Sequence, residues 1–133
     1  MGIVLDTSVL IEWERKAGAL EVYAGAHPDE PLGLSVITAA ELFHGVHRAD
    51  TTARRLKRSG FVEHVLASFP VFDFDLTISR LYAELWATLE RKGVKIGAHD
   101  LIIGATAIAR GDTVLTLNRR DFSKIPGLSF EVL

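Results

Sequence analysis

Four acidic residues, Asp6, Glu41, Asp100 and Asp121, are spread over most of a 133-residue chain, yet each occupies a position where an α/β protein collects ligands. Asp6 follows the apolar run Ile3-Val4-Leu5 and precedes Thr7-Ser8 and a second apolar run, the pattern of a strand ending in a helix cap. In open α/β sheets the carboxyl ends of strands face the ligand crevice. Asp100 and Asp121 stand on either side of another apolar run, Thr113-Val114-Leu115-Thr116-Leu117, so both can reach the crevice that Asp6 faces. Four carboxylates gathered in one cleft cannot all stay ionised unaided, because like charges within ~4–6 Å raise one another's pKa. A bound cation removes the conflict. With oxygen donors only and no cysteine in the chain, the expected ion is hard: Mg²⁺, with Mn²⁺ as substitute. Such a site suits phosphodiester chemistry, since it clamps the phosphate, acidifies the attacking water and neutralises the leaving oxygen.

Each acid also has an ordinary reading. Asp6 is equally a helix N-cap, worth about 1 kcal/mol, although Thr7 or Ser8 could cap the helix without placing a charge at the end of a buried strand. Glu41 falls at capping-box spacing from Thr38, with Ser35 or Thr38 as the cap. On a helical wheel Ala39, Leu42, Phe43 and Val46 form the core stripe, which leaves Glu41 with Ile37, His44, Gly45 and Arg48; taken alone it reads as a solvated helix charge. Asp100 carries the strongest single signal. It opens Leu101-Ile102-Ile103-Gly104-Ala105-Thr106-Ala107-Ile108-Ala109, apolar nearly all round and hence buried, with Gly104 and Ala107 on the side of Asp100 allowing close helix approach. Asp121 reads either as a ligand or as a turn aspartate near Pro126-Gly127. Thr116 and Asn118 alternate out of their strand and, with Thr7, are supporting hydrogen-bond partners for the carboxylates.

The elements that must position these groups alternate strand and helix, which predicts a mostly parallel central sheet flanked by helices in one domain spanning residues 1–133. Strands are expected at 3–6, 32–35, 71–74, 113–117 and 129–132. Helices are expected at 8–16, 19–25, 37–48, 52–67, 77–92 and 99–110, the last stopped by Gly111 in the left-handed conformation. In the fifth helix Ile78, Leu81, Tyr82, Leu85, Trp86 and Leu89 recur three and four apart as one core stripe.

The length suffices to bury roughly two thirds of the unfolded surface. No run approaches the ~20 apolar residues of a membrane span, no export signal is visible, and the absence of cysteine fits a cytoplasmic protein. A net charge of −2 gives no global case for nucleic acid, so a basic footprint must be local. Arg54-Arg55-Leu56-Lys57-Arg58 is the densest candidate, and its ordinary reading is a solvated helix face.

Taken together, Val4-Leu5-Asp6-Thr7-Ser8-Val9-Leu10-Ile11, Ser35-Val36-Ile37-Thr38-Ala39-Ala40-Glu41-Leu42, His99 to Ala107 and Leu115 to Phe122 resemble a PIN domain nearly end to end, most closely the VapC-type toxins of toxin–antitoxin pairs. The resemblance implies a metal-dependent endoribonuclease in which Asp6, Glu41, Asp100 and Asp121 bind Mg²⁺ or Mn²⁺ and position water for in-line attack, leaving a 5′-phosphate and a 3′-hydroxyl. Asn118 competes with Asp121 for the fourth position. It further implies a homodimer with a shared basic groove for RNA, and a cognate antitoxin that assembles with the toxin and blocks that groove. Arg54, Arg55, Lys57, Arg58, Arg119 and Arg120 are candidate phosphate contacts by charge alone. Rival readings are a catalytically silent PIN-like RNA- or protein-binding module and an aspartyl-phosphate phosphotransferase. The latter needs a second Asp two residues after Asp6, where this chain has Ser8. Glu41-Leu42-Phe43-His44 has the spacing of a di-metal bundle motif but occurs once only, and the nearby His44, His47 and His99 are not read as ligands.

Overall fold

The computed structural model describes residues 1–133, and its order of elements is β1 (Ile3–Leu5), α1 (Thr7–Arg15), α2 (Ala19–Ala26), β2 (Leu32–Ser35), α3 (Val36–Arg48), α4 (Thr52–Ser68), β3 (Val71–Phe72), α5 (Leu76–Arg91), α6 (Ala98–Arg110), β4 (Thr113–Thr116), α7 (Arg119–Phe122) and β5 (Phe130–Val132). All four strand pairings are parallel, in the order β3-β2-β1-β4-β5. The chain therefore lays β2 and β3 on one side of β1 and later returns to lay β4 and β5 on the other. The reversal falls between β1 and β4, where parallel sheets open a crevice at the carboxyl ends of their strands.

The strands are short apolar runs because both faces of the sheet are covered. Alternation along β1 sends Ile3 and Leu5 into a core shared with α1, α2, α3 and α4, and sends Val4 into a second core with α5, α6 and α7. Val4, Leu5, Leu34, Val114 and Leu115 are wholly buried. In β2, Gly33 admits the Phe72 ring of β3, for a Cβ there would stand 2.4 Å from the Phe72 Cζ. Gly104 in α6 does the same for Ile125, whose Cδ1 would lie 2.8 Å from an added Cβ, so the expected close approach of this helix is present.

Several expected boundaries are corrected. Asp6 lies outside β1 and Leu117 outside β4. Strand β3 ends at Phe72, because as an edge strand it has only β2 to pair with, and Asp73 and Phe74 leave the sheet to start α5 through the Asp75 cap. Trp86 and Phe43 are not core residues: each lies at the margin of its helix stripe and is exposed, 55% and 41% respectively. The four-residue helix α7 adds to the expected elements. Its Phe122 is wholly buried and anchors it.

A candidate active site at the carboxyl ends of β1 and β4

Pairing of Leu5 with Leu115 brings the ends of β1 and β4 side by side, and the Asp6 N–H donates to the Leu115 carbonyl at 2.9 Å. Asp6, only 4% exposed, turns out to be the N-cap of α1 itself, in place of Thr7 or Ser8. Its Oδ1 accepts from the Thr7 N–H at 2.8 Å, while Oδ2 accepts from Ser8 Oγ at 2.6 Å and from Thr116 Oγ1 at 2.8 Å. The two readings of Asp6 are thus not exclusive: one oxygen caps the helix, and the other is held by hydroxyls across the crevice. Ser8 also accepts from the Leu117 N–H at 3.1 Å, and Thr116 Oγ1 accepts from the Asn118 N–H at 2.8 Å, so the strand ends are laced together. This role of Ser8 has no local signal in the sequence, where its hydroxyl reads as an ordinary cap.

Glu41 projects from the second turn of α3, a helix capped by Ser35 through the Ile37 N–H. Its Oε1 accepts from Thr7 Oγ1 at 2.7 Å, and that hydroxyl lies 3.1 Å from the buried Thr38 Oγ1. Its Oε2 lies 3.5 Å from His99 Nδ1. The opening residues of α1 therefore hold two of the four acids, Asp6 directly and Glu41 through Thr7.

Asp100 enters from the first turn of α6, whose N-cap Gly97 offers no side chain. Burial pushes its carboxyl up to about 6, and the charges of Asp6, Glu41 and Asp121 push in the same direction against a smaller opposing effect of His99. Carboxylates from three other elements are therefore close enough to be felt at Asp100.

Asp121 stands on α7, which Asn118 caps by accepting from the Asp121 N–H at 3.3 Å. The Asn118 Nδ2 donates to Asp121 Oδ2 at 3.1 Å and reaches Asp100 Oδ2 at 3.5 Å. Asn118 thus bridges the two acids. Lys124 Nζ lies 3.8 Å from Asp121 Oδ1.

The donors fit a hard divalent cation in kind, for all four are carboxylates and one of them carries uncompensated charge. Their side chains stand apart from one another: no three acidic or histidine groups have the spacing of one shared ion. Their oxygens are instead turned toward Thr7, Ser8, Thr116 and Asn118, the arrangement that mutual repulsion favours.

Of the expected basic residues, Arg54, Arg55, Lys57 and Arg58 lie on α4, where Arg54 pairs with Asp50 at 2.7 Å, Arg55 donates to the Ala49 carbonyl and Arg58 turns toward Glu14 of α1 and the Gly45 carbonyl of α3. Arg119 and Arg120 lie on α7, beside Asp121.

Comparison with known proteins gives this arrangement its family. Residues 3–128 match the model of the PIN domain. The chain belongs to the PIN-domain family. Among its PIN relatives, Ribonuclease VapC1 of Rickettsia felis is 36% identical over 128 residues, covering 96% of this chain and 93% of the relative. The tRNA(fMet)-specific endonuclease VapC of Salmonella typhimurium is 34% identical over 98 residues, covering 74% and 72%. The solved structure of VapBC2 from Rickettsia felis, bound to a DNA fragment from their promoter, superposes with a TM-score of 0.88 at 29% identity over 100% of this chain and 99% of that one. The PIN fold expected from the sequence, a parallel sheet flanked by helices, is thus the observed one.

Proposed function

We propose that this chain is the ribonuclease toxin of a toxin–antitoxin pair, hydrolysing RNA phosphodiesters with a divalent cation, Mg²⁺ or Mn²⁺, held by Asp6, Glu41, Asp100 and Asp121. One observation carries the reading: hydrogen bonds at the carboxyl ends of β1 and β4 draw the four acids into two linked pairs, Asp6 and Glu41 through Thr7, and Asp100 and Asp121 through Asn118, with the Thr116 hydroxyl joining one pair to the other. Like charges gathered this closely raise one another's pKa, and a bound cation relieves that repulsion. Relatives named as ribonucleases, and neighbours solved as toxin–antitoxin complexes, support the assignment and the antitoxin partner.

When bound, the cation supplies charge neutralisation at the phosphate and acidifies water at neutral pH. The side chains of this chain do the positioning. Ser8 and Thr116 orient Asp6, Thr7 orients Glu41, and Asn118 spans Asp100 and Asp121. With the Asp6 oxygens held by three donors and those of Asp121 facing Asn118 and Lys124, Asp100 is the acid with an oxygen left to orient a water for in-line attack. No helix is long and apolar enough to cross a membrane.

The test is incubation of the purified protein with total cellular RNA in Mg²⁺, in Mn²⁺ and in excess chelator, with Asp100→Asn alongside. Discrete fragments bearing 5′-phosphates that require metal and vanish in the variant are the expected result. Equal inertness of both proteins, with the wild type free of co-purified inhibitor, would favour the silent binding module.

A further inference from the structure

From Glu41 and His99 a groove runs outward between two helices. On α1 the residues Thr7, Ile11 and Glu14 recur four and three apart, and on α3 Glu41, Gly45 and Arg48 do the same, so each helix presents one wall to the space between them. Each wall spans seven residues from its acid end, about 10 Å at 1.5 Å per residue. Helix α4 closes the floor with Arg58, Phe61 and Val62. Three adjoining cavities of about 530, 90 and 640 Å³ fill this space, and Arg58 lines all three.

The far cavity is lined by Arg15, Arg48, Arg54, Lys57 and Arg58 against only Glu14 and Asp50, a local positive excess in a chain whose net charge is −2. Arg54 is committed to Asp50. Arg58 is held more loosely: its Nε lies 3.4 Å from Glu14 Oε1 and its NH1 donates to the Gly45 carbonyl at 3.4 Å. Charge-assisted bonds of full strength are nearer 2.7–2.9 Å. Arg58 packs along α3 at Gly45, where an added Cβ would stand 3.6 Å from Arg58 Cδ, an ordinary van der Waals contact. Glu14, whose side chain is 19% exposed, thus presents an anion to Arg58 from within the groove wall.

We propose that this groove carries the RNA strand on one side of the scissile phosphate, with Arg58 as its phosphate contact beyond Glu41 and Glu14 as an internal competitor that the phosphate displaces. The inference rests on the ribonuclease reading of the acids. RNA is favoured over an acidic peptide because the groove opens directly on Glu41 and His99, and a strand reacting there must continue outward as a chain of phosphates. Glu14 acts through Arg58 and is a positioning residue that lowers affinity.

The experiment measures binding of a short, mixed-sequence, single-stranded oligoribonucleotide in chelator by protein carrying Asp100→Asn, which prevents cleavage, over a series of salt concentrations. Adding Arg58→Gln is expected to weaken binding about 5-fold and to reduce the slope of log K against log salt by about 0.7, the share of one phosphate contact on a single strand. Arg58→Lys retains the slope. Glu14→Gln tightens binding about 3-fold, and this gain disappears when Arg58→Gln is also present, as coupling through one partner requires. Arg91→Gln, on α5 across the sheet, changes neither affinity nor slope. If Arg58→Gln and Glu14→Gln leave affinity and slope unchanged while the wild type cleaves RNA, the groove assignment fails and the ribonuclease reading stands. If the wild type neither binds nor cleaves RNA, both fail. Displacement of the RNA by polyglutamate at equal charge would overturn RNA as the occupant in favour of an acidic peptide.

Discussion

The hydroxyl of Thr116, at the end of β4, donates a 2.8 Å hydrogen bond to the carboxylate of Asp6, at the end of β1, joining residues 110 apart in sequence. Both groups are buried, and the same hydroxyl accepts from the Asn118 N–H. One oxygen atom therefore ties the acid of the first strand to the residue that bridges the acids of α6 and α7.

Removal of that hydroxyl tests the tie. Thr116→Val keeps the shape and leaves the Asn118 N–H and an Asp6 oxygen each short of a partner, which costs about 1–3 kcal/mol. Thermal unfolding is expected to show this loss, and cleavage by the folded variant should fall roughly 10–100-fold, as for other groups that orient metal-binding carboxylates. A variant equally stable and equally active would show that Asp6 is held by Ser8 and the cap alone.

Stability of the metal-free protein should depend on Asp100 in a defined direction. Its folded pKa is raised to about 6 from an ordinary 3.8, so between these values the folded state binds more protons than the unfolded one. Stability then falls as pH rises from about 4 to 6 and stays at the lower level above that. Asp100→Asn removes the loss. Allowing for solvent screening of a half-exposed group, the variant should gain about 1 kcal/mol in chelator at neutral pH, a melting temperature higher by about 4 °C, while losing cleavage. Equal pH profiles for wild type and variant between pH 4 and 7 would contradict the raised pKa.

The fourth position has two candidates, Asp121 and Asn118, and substitution distinguishes them. Asn118 caps α7 and donates to Asp121, whereas Asp121 carries the charge felt at Asp100. Asp121→Asn is therefore expected to lower cleavage with little loss of stability. Asn118→Ala should cost about 1 kcal/mol through the lost cap and raise the metal concentration needed for half-maximal activity. Metal titrations of cleavage distinguish them, and a fully active Asp121→Asn would hand the position to Asn118.

Packing gives an independent check of the sheet. In Gly33→Ala the new methyl meets the Phe72 ring at 2.4–2.6 Å and the Pro70 carbonyl at 3.1 Å. The half-buried ring, stacked under the Arg110 guanidinium, and the Pro70 carbonyl must both shift, so a loss of about 1–3 kcal/mol is expected in denaturant unfolding. An unchanged midpoint would show that Phe72 moves freely.

Most of the fold is legible in the sequence because buried parallel strands are short apolar runs and the helices carry clear period or caps. The site is legible in part. Asp6 and Asp100 stand out because a charge beside a fully apolar element is costly without a partner. The capping by Asp6 is hidden by Thr7 and Ser8, which offer the same chemistry one and two residues later. Helix α7 is invisible because Arg-Arg-Asp-Phe is too short to show a period, and only the burial of Phe122 fixes it. Trp86 falls in the apparent core stripe because six apolar residues are wider than the surface available to α5. The pairing of Glu14 with Arg58 depends on the approach of α1, α3 and α4, which no local pattern encodes.

The most direct measurement is a Mn²⁺ titration of the apo protein by calorimetry, with Asp6→Asn and Asp100→Asn in parallel and their folding verified by circular dichroism. Saturable binding to the wild type is predicted, weakening by about 100-fold or more in each variant, as loss of a direct carboxylate ligand should exceed the 10–100-fold cost of losing an outer partner. Folded variants that bind Mn²⁺ as tightly as the wild type, or a wild type that binds none, would contradict a metal site built on these acids.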